Sequence, residues 1–228
     1  MNDLAQKLIE ELQCETVFTI PVLGGIPVSE AVVVTWIIMA VLVIVAFILT
    51  RNLKVEHISK RQAVAESIVT GLMNMVQGMV GEKGRKYVPY LTTVMLYIGV
   101  SNIIGLFGFK SPTKDLRVTV ALALMSIILI EAAGIYHKGV KRWLHGFVEP
   151  VAIVTPINIL EVVTKPLSLC MRLFGNVLGA FVIMELLKMI LPVGLPVVFS
   201  LYFDIFDGLL QAYVFVFLTS LYIDEITE

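Results

Sequence analysis

Residues 31–50 read AVVVTWIIMAVLVIVAFILT, twenty positions without a charge. A helix of that length rises about 1.5 Å per residue and reaches about 30 Å, the thickness of the hydrocarbon layer of a bilayer. Lipid offers no partner to a backbone N–H or C=O, so such a run is a membrane-spanning helix. The rest of the 228-residue chain suits the same solvent: 58% of its residues are apolar and 15% charged, where a soluble domain carries about 25% charged. Mean hydropathy is +0.91. A net charge of -1 leaves no basic surplus for nucleic acid. Cys14 and Cys170 lie too far apart in sequence and setting to organise a disulfide framework.

Working outward from that span, four more follow at residues 88–109, Val118 to Tyr136, Leu167 to Leu191 and Leu195 to Ile223. Tyr87 and Tyr90 flank the second, where aromatic rings favour the interface. Residues 56–80 place Ile58, Val64, Ile68, Leu72 and Val76 near helical spacing, which predicts an amphipathic helix at the membrane surface. Residues 144–164, broken by Pro150 and Pro156, read as a shallow or re-entrant segment. The expected fold is an all-α integral membrane protein with five transmembrane helices plus an interfacial amphipathic helix. The last two helices are long enough to need tilt: 29 residues make about 43 Å.

Sidedness follows from basic residues in the short loops. Eleven (Arg51 to Lys86, Lys138 to Lys165) lie on one side and four (Lys7, Lys110, Lys114, Arg117) on the other. The positive-inside rule then puts the amino terminus outside and the carboxyl terminus in the cytoplasm. Residues 1–30, acidic and without a basic n-region, read as an extracytoplasmic tail, and residues 225–228 as a cytoplasmic end. No internal repeat of 20 to 50 residues is visible, which weakens a two-fold transporter.

Six ionisable residues fall inside apolar spans: Glu131, Arg172, Glu185, Lys188, Asp204 and Asp207. A charge at mid-membrane is unfavourable by about 2.5–3.5 kcal/mol on insertion scales, so such residues face protein, water or one another. Lys188 stands four residues before Pro192 and can snorkel outward beside Glu185. Arg172 has no acid three or four residues away; Lys165, Ser168, Arg172, Asn176 and Gly179 instead form a polar stripe at helical spacing. Asp204, Asp207 and Gln211 share a side of the last helix, so the two faces can meet. Glu131 and Asn102 would join the same interior. The three histidines, His57, His137 and His145, lie in loops, and there is no zinc, nucleophile-elbow or P-loop motif. No metal, no cofactor and no catalytic site of the chain's own is expected. The chemistry left is ion passage, through a subunit of a larger machine or through a self-contained secondary transporter that uses Asp204 and Asp207.

The stretch PINILEVVTKPLSLCMRLFGNVLG (156–179) strongly resembles the signature of subunit a of the F-type ATP synthase, above all KPLSLxxRLFGN. PTKDLRVTVALA (112–123) and QAYVF (211–215) are similar to further blocks of that family. The resemblance spans roughly residues 30–224. It implies a membrane-embedded ion-channel domain over 31–224, set in a bacterial inner membrane against a rotating ring of c subunits and held by the b subunits of the peripheral stalk. It further implies two offset half-channels for protons or sodium, coupled to ATP synthesis. By position, Arg172 matches the essential arginine, Asn176 the amide one turn on and Gln211 the polar residue opposite. Glu161 and Lys165 match positions of the cytoplasmic half-channel, Asp115 and Asn102 positions near the outer one, and Ser168 and Glu131 join the ion path. The chain departs from the family pattern nine residues after Arg172, where an often acidic position holds Phe181, and at Asp204, often His or Glu. Glu185, Asp204 and Asp207 are therefore the candidate outer relay acids.

Overall fold

The computed structural model describes residues 16–20, 26–51, 53, 59–107, 109, 111–146, 154–190 and 199–227. Strands β1 (Thr16–Ile20) and β2 (Ile26–Ser29) pair antiparallel, with Phe18 opposite Val28. This short hairpin lies within the stretch expected as a tail, and it is anchored: Val28 and Ser29 are buried. The other expected tail residues, 1–15 and 21–25, lie outside the described set.

Helix α1 (Glu30–Thr50) follows directly. It buries Ala31, Val34 and Ile38, spaced three and four apart on one face of its first half, and exposes Val43, Phe47 and Ile48 in its second. Its buried residues therefore all lie in the first half. Helix α2 (Lys60–Met79) is the expected amphipathic segment. Ser59 caps it, its Oγ accepting from the Gln62 N–H at 3.3 Å. It buries Val76 and leaves Val64, Ile68, Val69 and Met75 exposed.

A 3₁₀ turn (Glu82–Tyr87) leads into α3 (Val88–Ile103), and further 3₁₀ turns (Ile104–Phe107, Pro112–Lys114) connect to α4 (Leu116–Lys138). Asp115 caps α4, its Oδ1 accepting from Arg117 N–H at 2.9 Å. Gly139, at φ 78°, adopts the backbone that frees the chain to turn into the short α5 (Val140–Gly146).

Helix α6 runs from Thr155 to Ile190 without a break. The expected shallow segment is thus corrected from Thr155 onward: residues 155–164 are the first turns of α6, while 147–153 are outside the described set. Pro156 fits because it stands in the first turn, where its missing N–H would have no partner anyway. Pro166 lies inside the helix. A missing backbone bond is tolerated within a membrane bundle, where neighbouring groups re-satisfy the freed carbonyl. The last span begins as a wide π-helical turn (Leu201–Asp207) and continues as α7 (Gly208–Thr227).

Among the described residues, five helices are long and apolar enough to cross a bilayer: Glu30–Thr50, Gly84–Leu106, Leu116–Lys138, Thr155–Leu187 and Leu201–Thr227. The last two, of 33 and 27 residues, reach about 50 and 40 Å, well beyond the hydrocarbon layer. The protein is an all-α membrane bundle with a hairpin at one end. One packed cluster joins Ala31, Val94, Ile98, Leu122, Leu169, Leu173 and Phe215 from α1, α3, α4, α6 and α7. The second joins Val76, Leu91, Ile130, Val216 and Ile223 from α2, α3, α4 and α7. Helices α3, α4 and α7 belong to both and form the rigid centre.

Apolar burial drives little association between helices already in lipid, so close approach and interhelical hydrogen bonds matter more. Gly208 marks such an approach: a Cβ there would stand 2.8 Å from the Asn102 Cβ. Gly175 is its opposite, since an added Cβ meets nothing within 4 Å. Gly208→Ala is expected to destabilise the α3–α7 contact by about 1–3 kcal/mol, the usual cost of overpacking. Gly175→Ala should leave the isolated subunit as stable or slightly more so. Denaturant unfolding of the two variants in detergent micelles checks this, and equal midpoints would refute it.

Candidate functional site

Arg172 owes its position to the pattern of α6. Leu169, Cys170 and Leu173 are buried toward the bundle, with the Thr119 hydroxyl 3.5 Å from the Cys170 sulfur. The same helical period turns Ser168, Arg172, Gly175 and Asn176 outward, where all four are exposed. Added Cβ atoms at Gly175 and Gly179 meet no neighbour within 4 Å. Among the described residues Arg172 makes no hydrogen bond and no ion pair. A permanent cation thus stands in the middle of a spanning helix on a face that none of the described residues covers.

One turn further, the polar stripe meets α7. Asn176 Nδ2 donates to Gln211 Oε1 at 2.6 Å, so the two faces read from the sequence do touch. Gln211 is 2% exposed, and its Nε2 is buried with no partner. The amide pair joins the Arg172 face to the interior.

At the hairpin end a chain of buried hydrogen bonds runs across α3, the Pro112–Lys114 turn and α7. Asn102 Nδ2 donates to the Gly208 carbonyl at 3.0 Å, and its Oδ1 accepts from Thr113 Oγ1 at 2.8 Å. Ser111 Oγ lies 2.7 Å from Thr113 Oγ1 and donates to the Ser101 carbonyl at 2.7 Å. The Ser101 hydroxyl is buried and unpaired. Asp204 and Asp207 both lie on the π-helical turn, half-buried. Asp204 Oδ2 accepts from Ser200 Oγ at 3.1 Å, and its Oδ1 would stand 3.2 Å from a Cβ on Gly105, so this carboxylate reaches the 3₁₀ turn that follows α3. Asp115 is buried; beyond capping α4 it accepts from Ser29 Oγ at 2.7 Å, which ties the hairpin to the bundle. Both its oxygens hold structure. Lys114 places its ammonium 3.6 Å from the Phe181 ring centroid, and Glu185 lies half-buried one turn beyond Phe181.

At the opposite end Lys165 gathers two acids, Glu161 at 3.7 Å and Glu225 at 3.1 Å, and lies 5.2 Å from the Tyr222 ring centroid. Glu131 accepts from Trp143 Nε1 at 2.9 Å, so its carboxylate fastens α5 to α4. Ser168 lies exposed on the face of Arg172 and makes no hydrogen bond among the described residues. Among the described residues no group of three His, Cys, Asp or Glu side chains is arranged to hold a metal ion.

Sequence reasoning joined Arg172, Asn176 and Gln211, and Glu161 with Lys165. It missed Ser29, Ser111, Thr113, Trp143 and Glu225 as partners. Periodicity sorts faces within one helix, whereas these five meet their partners through turns and helix ends, where sequence spacing carries no signal.

The family of ATP synthase A chains matches residues 32–224. The ATP synthase subunit a of Moorella thermoacetica is 36% identical over 88% of this chain and 92% of its own length. The sodium ion specific ATP synthase subunit a of Propionigenium modestum is 35% identical over 87% of this chain and 74% of its own. An ATP synthase subunit a of Chlorobaculum parvum is 34% identical over 90% and 91%. With its five spanning helices, the chain therefore belongs to the subunit a family, the membrane-sector component of F-type ATP synthases.

Proposed function

We propose that this chain is the ion-translocating stator of an F-type ATP synthase, with Arg172 as the residue that separates two half-channels. The supporting observation is an exposed arginine in mid-span with no counter-charge among the described residues of its own chain. Such a group is unfavourable in lipid and becomes favourable against a carboxylate brought by a partner. The partner proposed is a ring of small c subunits, each carrying a mid-membrane acid, with b subunits holding the stator in place.

The guanidinium keeps its proton at any accessible pH. A ring carboxylate arriving beside it is held ionised by the opposite charge, so it must release its ion on one side before passing. The same fixed charge blocks a direct hop between the channels. Each charge crossing carries about 2.3 kcal/mol per 100 mV, so several crossings are collected for one ATP. That calls for a rotor, and ATP chemistry belongs to other subunits.

In this reading Asn102, Asp204, Asp207 and Glu185 serve the half-channel at the hairpin end, and Glu161, Lys165 and Glu225 the one at the opposite end. The loop charges put the hairpin end outside a bacterial inner membrane, with the carboxyl terminus in the cytoplasm. Asp115 and Glu131 hold the frame.

Arg172→Ala is expected to reduce ATP-driven ion pumping by the assembled complex in inverted vesicles to background, with all subunits still copurifying. Pumping at the unaltered rate would refute the assignment. Asp204→Asn should slow ion entry from the hairpin side several-fold more than Glu161→Gln does. Passive ion flux in stripped vesicles, measured with the gradient imposed in each direction, reads this, and equal effects in both directions would count against two separate channels.

A further inference from the structure

Lys165 stands two helical turns before Arg172 on the same face of α6, so the polar stripe holds two cations. The structure treats them differently. Arg172 makes no ion pair among the described residues, whereas the Lys165 ammonium donates to Glu225 Oε2 at 3.1 Å and lies 3.7 Å from Glu161 Oε2. Glu161 belongs to α6 itself, one turn earlier, while Glu225 is brought by α7. Tyr222, three residues before Glu225 on the same side of α7, adds its ring at 5.2 Å from the ammonium. The neighbouring acids turn elsewhere. A Cβ on Gly81 would stand 2.9 Å from Asp224 Oδ2, and the Glu131 carboxylate of α4 accepts from Trp143. Among the described residues, Glu225 is thus the acid that α7 extends to the stripe. Its side chain is 52% exposed and that of Glu161 51%, so the cluster is wet and adds little to stability. What it changes is the field along the face of Arg172.

We infer that Glu225 is a positioning residue of the ion path that acts through Lys165: it draws the ammonium onto α7 and offsets its charge, which leaves Arg172 as the uncompensated cation of the stripe among the described residues. The inference rests on the half-channel reading above. A ring carboxylate that has passed Arg172 must take an ion, a proton or Na⁺, from the water at this end, and its negative charge is cancelled as it does so. A bare ammonium two turns from the arginine would favour the empty, ionised carboxylate there as well. The stretch over which the carboxylate is kept charged would then run from Arg172 to the mouth. With Lys165 held by Glu225, that stretch ends at the arginine.

The test uses the whole ATP synthase in inverted vesicles, where in the proposed orientation the Lys165 end faces the medium. Initial rates of ATP-driven pumping are recorded against the pH and the Na⁺ concentration of that medium. Glu225→Gln should raise the concentration of the coupling ion that gives half-maximal rate by at least about twofold, with the maximal rate little changed. That is the effect of one unit charge felt through water at about 10 Å, the two turns between Lys165 and Arg172. Glu225→Asp, which keeps the charge, should keep the half-maximal concentration of the unaltered complex. Lys165→Gln should lower it, and adding Glu225→Gln to that variant should bring it back up. This second step reads Glu225 even where the single Glu225→Gln variant does not assemble. Asp224→Asn, which removes the acid turned toward Gly81, should leave the value in place. A half-maximal concentration unmoved by Glu225→Gln in either background, or moved as far by Asp224→Asn, overturns the inference. So does a loss confined to the maximal rate, the mark of a merely structural contact. Pumping that survives Arg172→Ala removes the half-channel reading, whereas an unmoved value with a dead Arg172→Ala variant removes only the role of Glu225.

Discussion

A guanidinium in the middle of a membrane-spanning helix needs a counter-charge, and the described residues of this chain supply Arg172 with none. The rest of the bundle is organised around that imbalance. Leu169, Cys170 and Leu173 bury the opposite side of α6 and so fix which way the arginine faces. Gly175 and Gly179 keep its surroundings clear, with open space where side chains would stand. An arginine meant only to tie two helices together would be expected to turn inward to an acid. The acids nearest to that description are already engaged: Glu161 and Glu225 on Lys165, and Glu131 on Trp143. The chain's own electrostatics are settled at the ends and left open in the middle.

The α3–α7 contact explains how the middle is held steady. Gly208 follows directly on the π-helical turn, and Asn102 comes close enough to bond its carbonyl. A bulkier residue would push Asn102 away, so the glycine and the asparagine form one device. Three residues on, Gln211 is buried and reaches Asn176. The wide turn thus sets the rotation of α7, which presents Gln211 to α6 while Asp204 and Asp207 stay at the hairpin end. Irregular backbone at membrane depth is tolerated where protein or a polar cavity surrounds it, and this turn lies against α3.

Much of the architecture was legible in the sequence because lipid is an unforgiving solvent. Residues 31–50 could be nothing but a span, and the interval from Ser168 to Asn176 already described one face of a helix. The start of α6 was not legible. Pro150 and Pro156 suggested interruption, but a proline such as Pro156 costs little in a first turn, and even Pro166 is accommodated inside the helix. The hairpin before α1 was missed for a different reason. Strands of five and four residues have too little alternation to stand out, and their hold on the bundle comes from buried Val28 and the long-range bond from Ser29 to Asp115, neither of which spacing reveals. Asp115 itself reads as a family position near the outer channel, yet both its oxygens accept structural hydrogen bonds. Position along the chain could not separate a carboxylate that moves an ion from one that caps a helix.

The two ends of the bundle differ in a way that bears on direction. At the Lys165 end a cation is flanked by two carboxylates that are themselves more than half exposed, so its charge is compensated and in contact with water. Such exposed pairs contribute little to stability and rearrange readily. At the hairpin end the polar groups of Asn102, Ser111 and Thr113 are buried and hydrogen-bonded in series. Water dominates the first environment and fixed dipoles the second. Selectivity belongs where dehydration is forced, because an ion that keeps its water shell cannot be distinguished closely from another. In the proposed reading, the buried end is thus where an ion would shed its water and the open end where it would regain it.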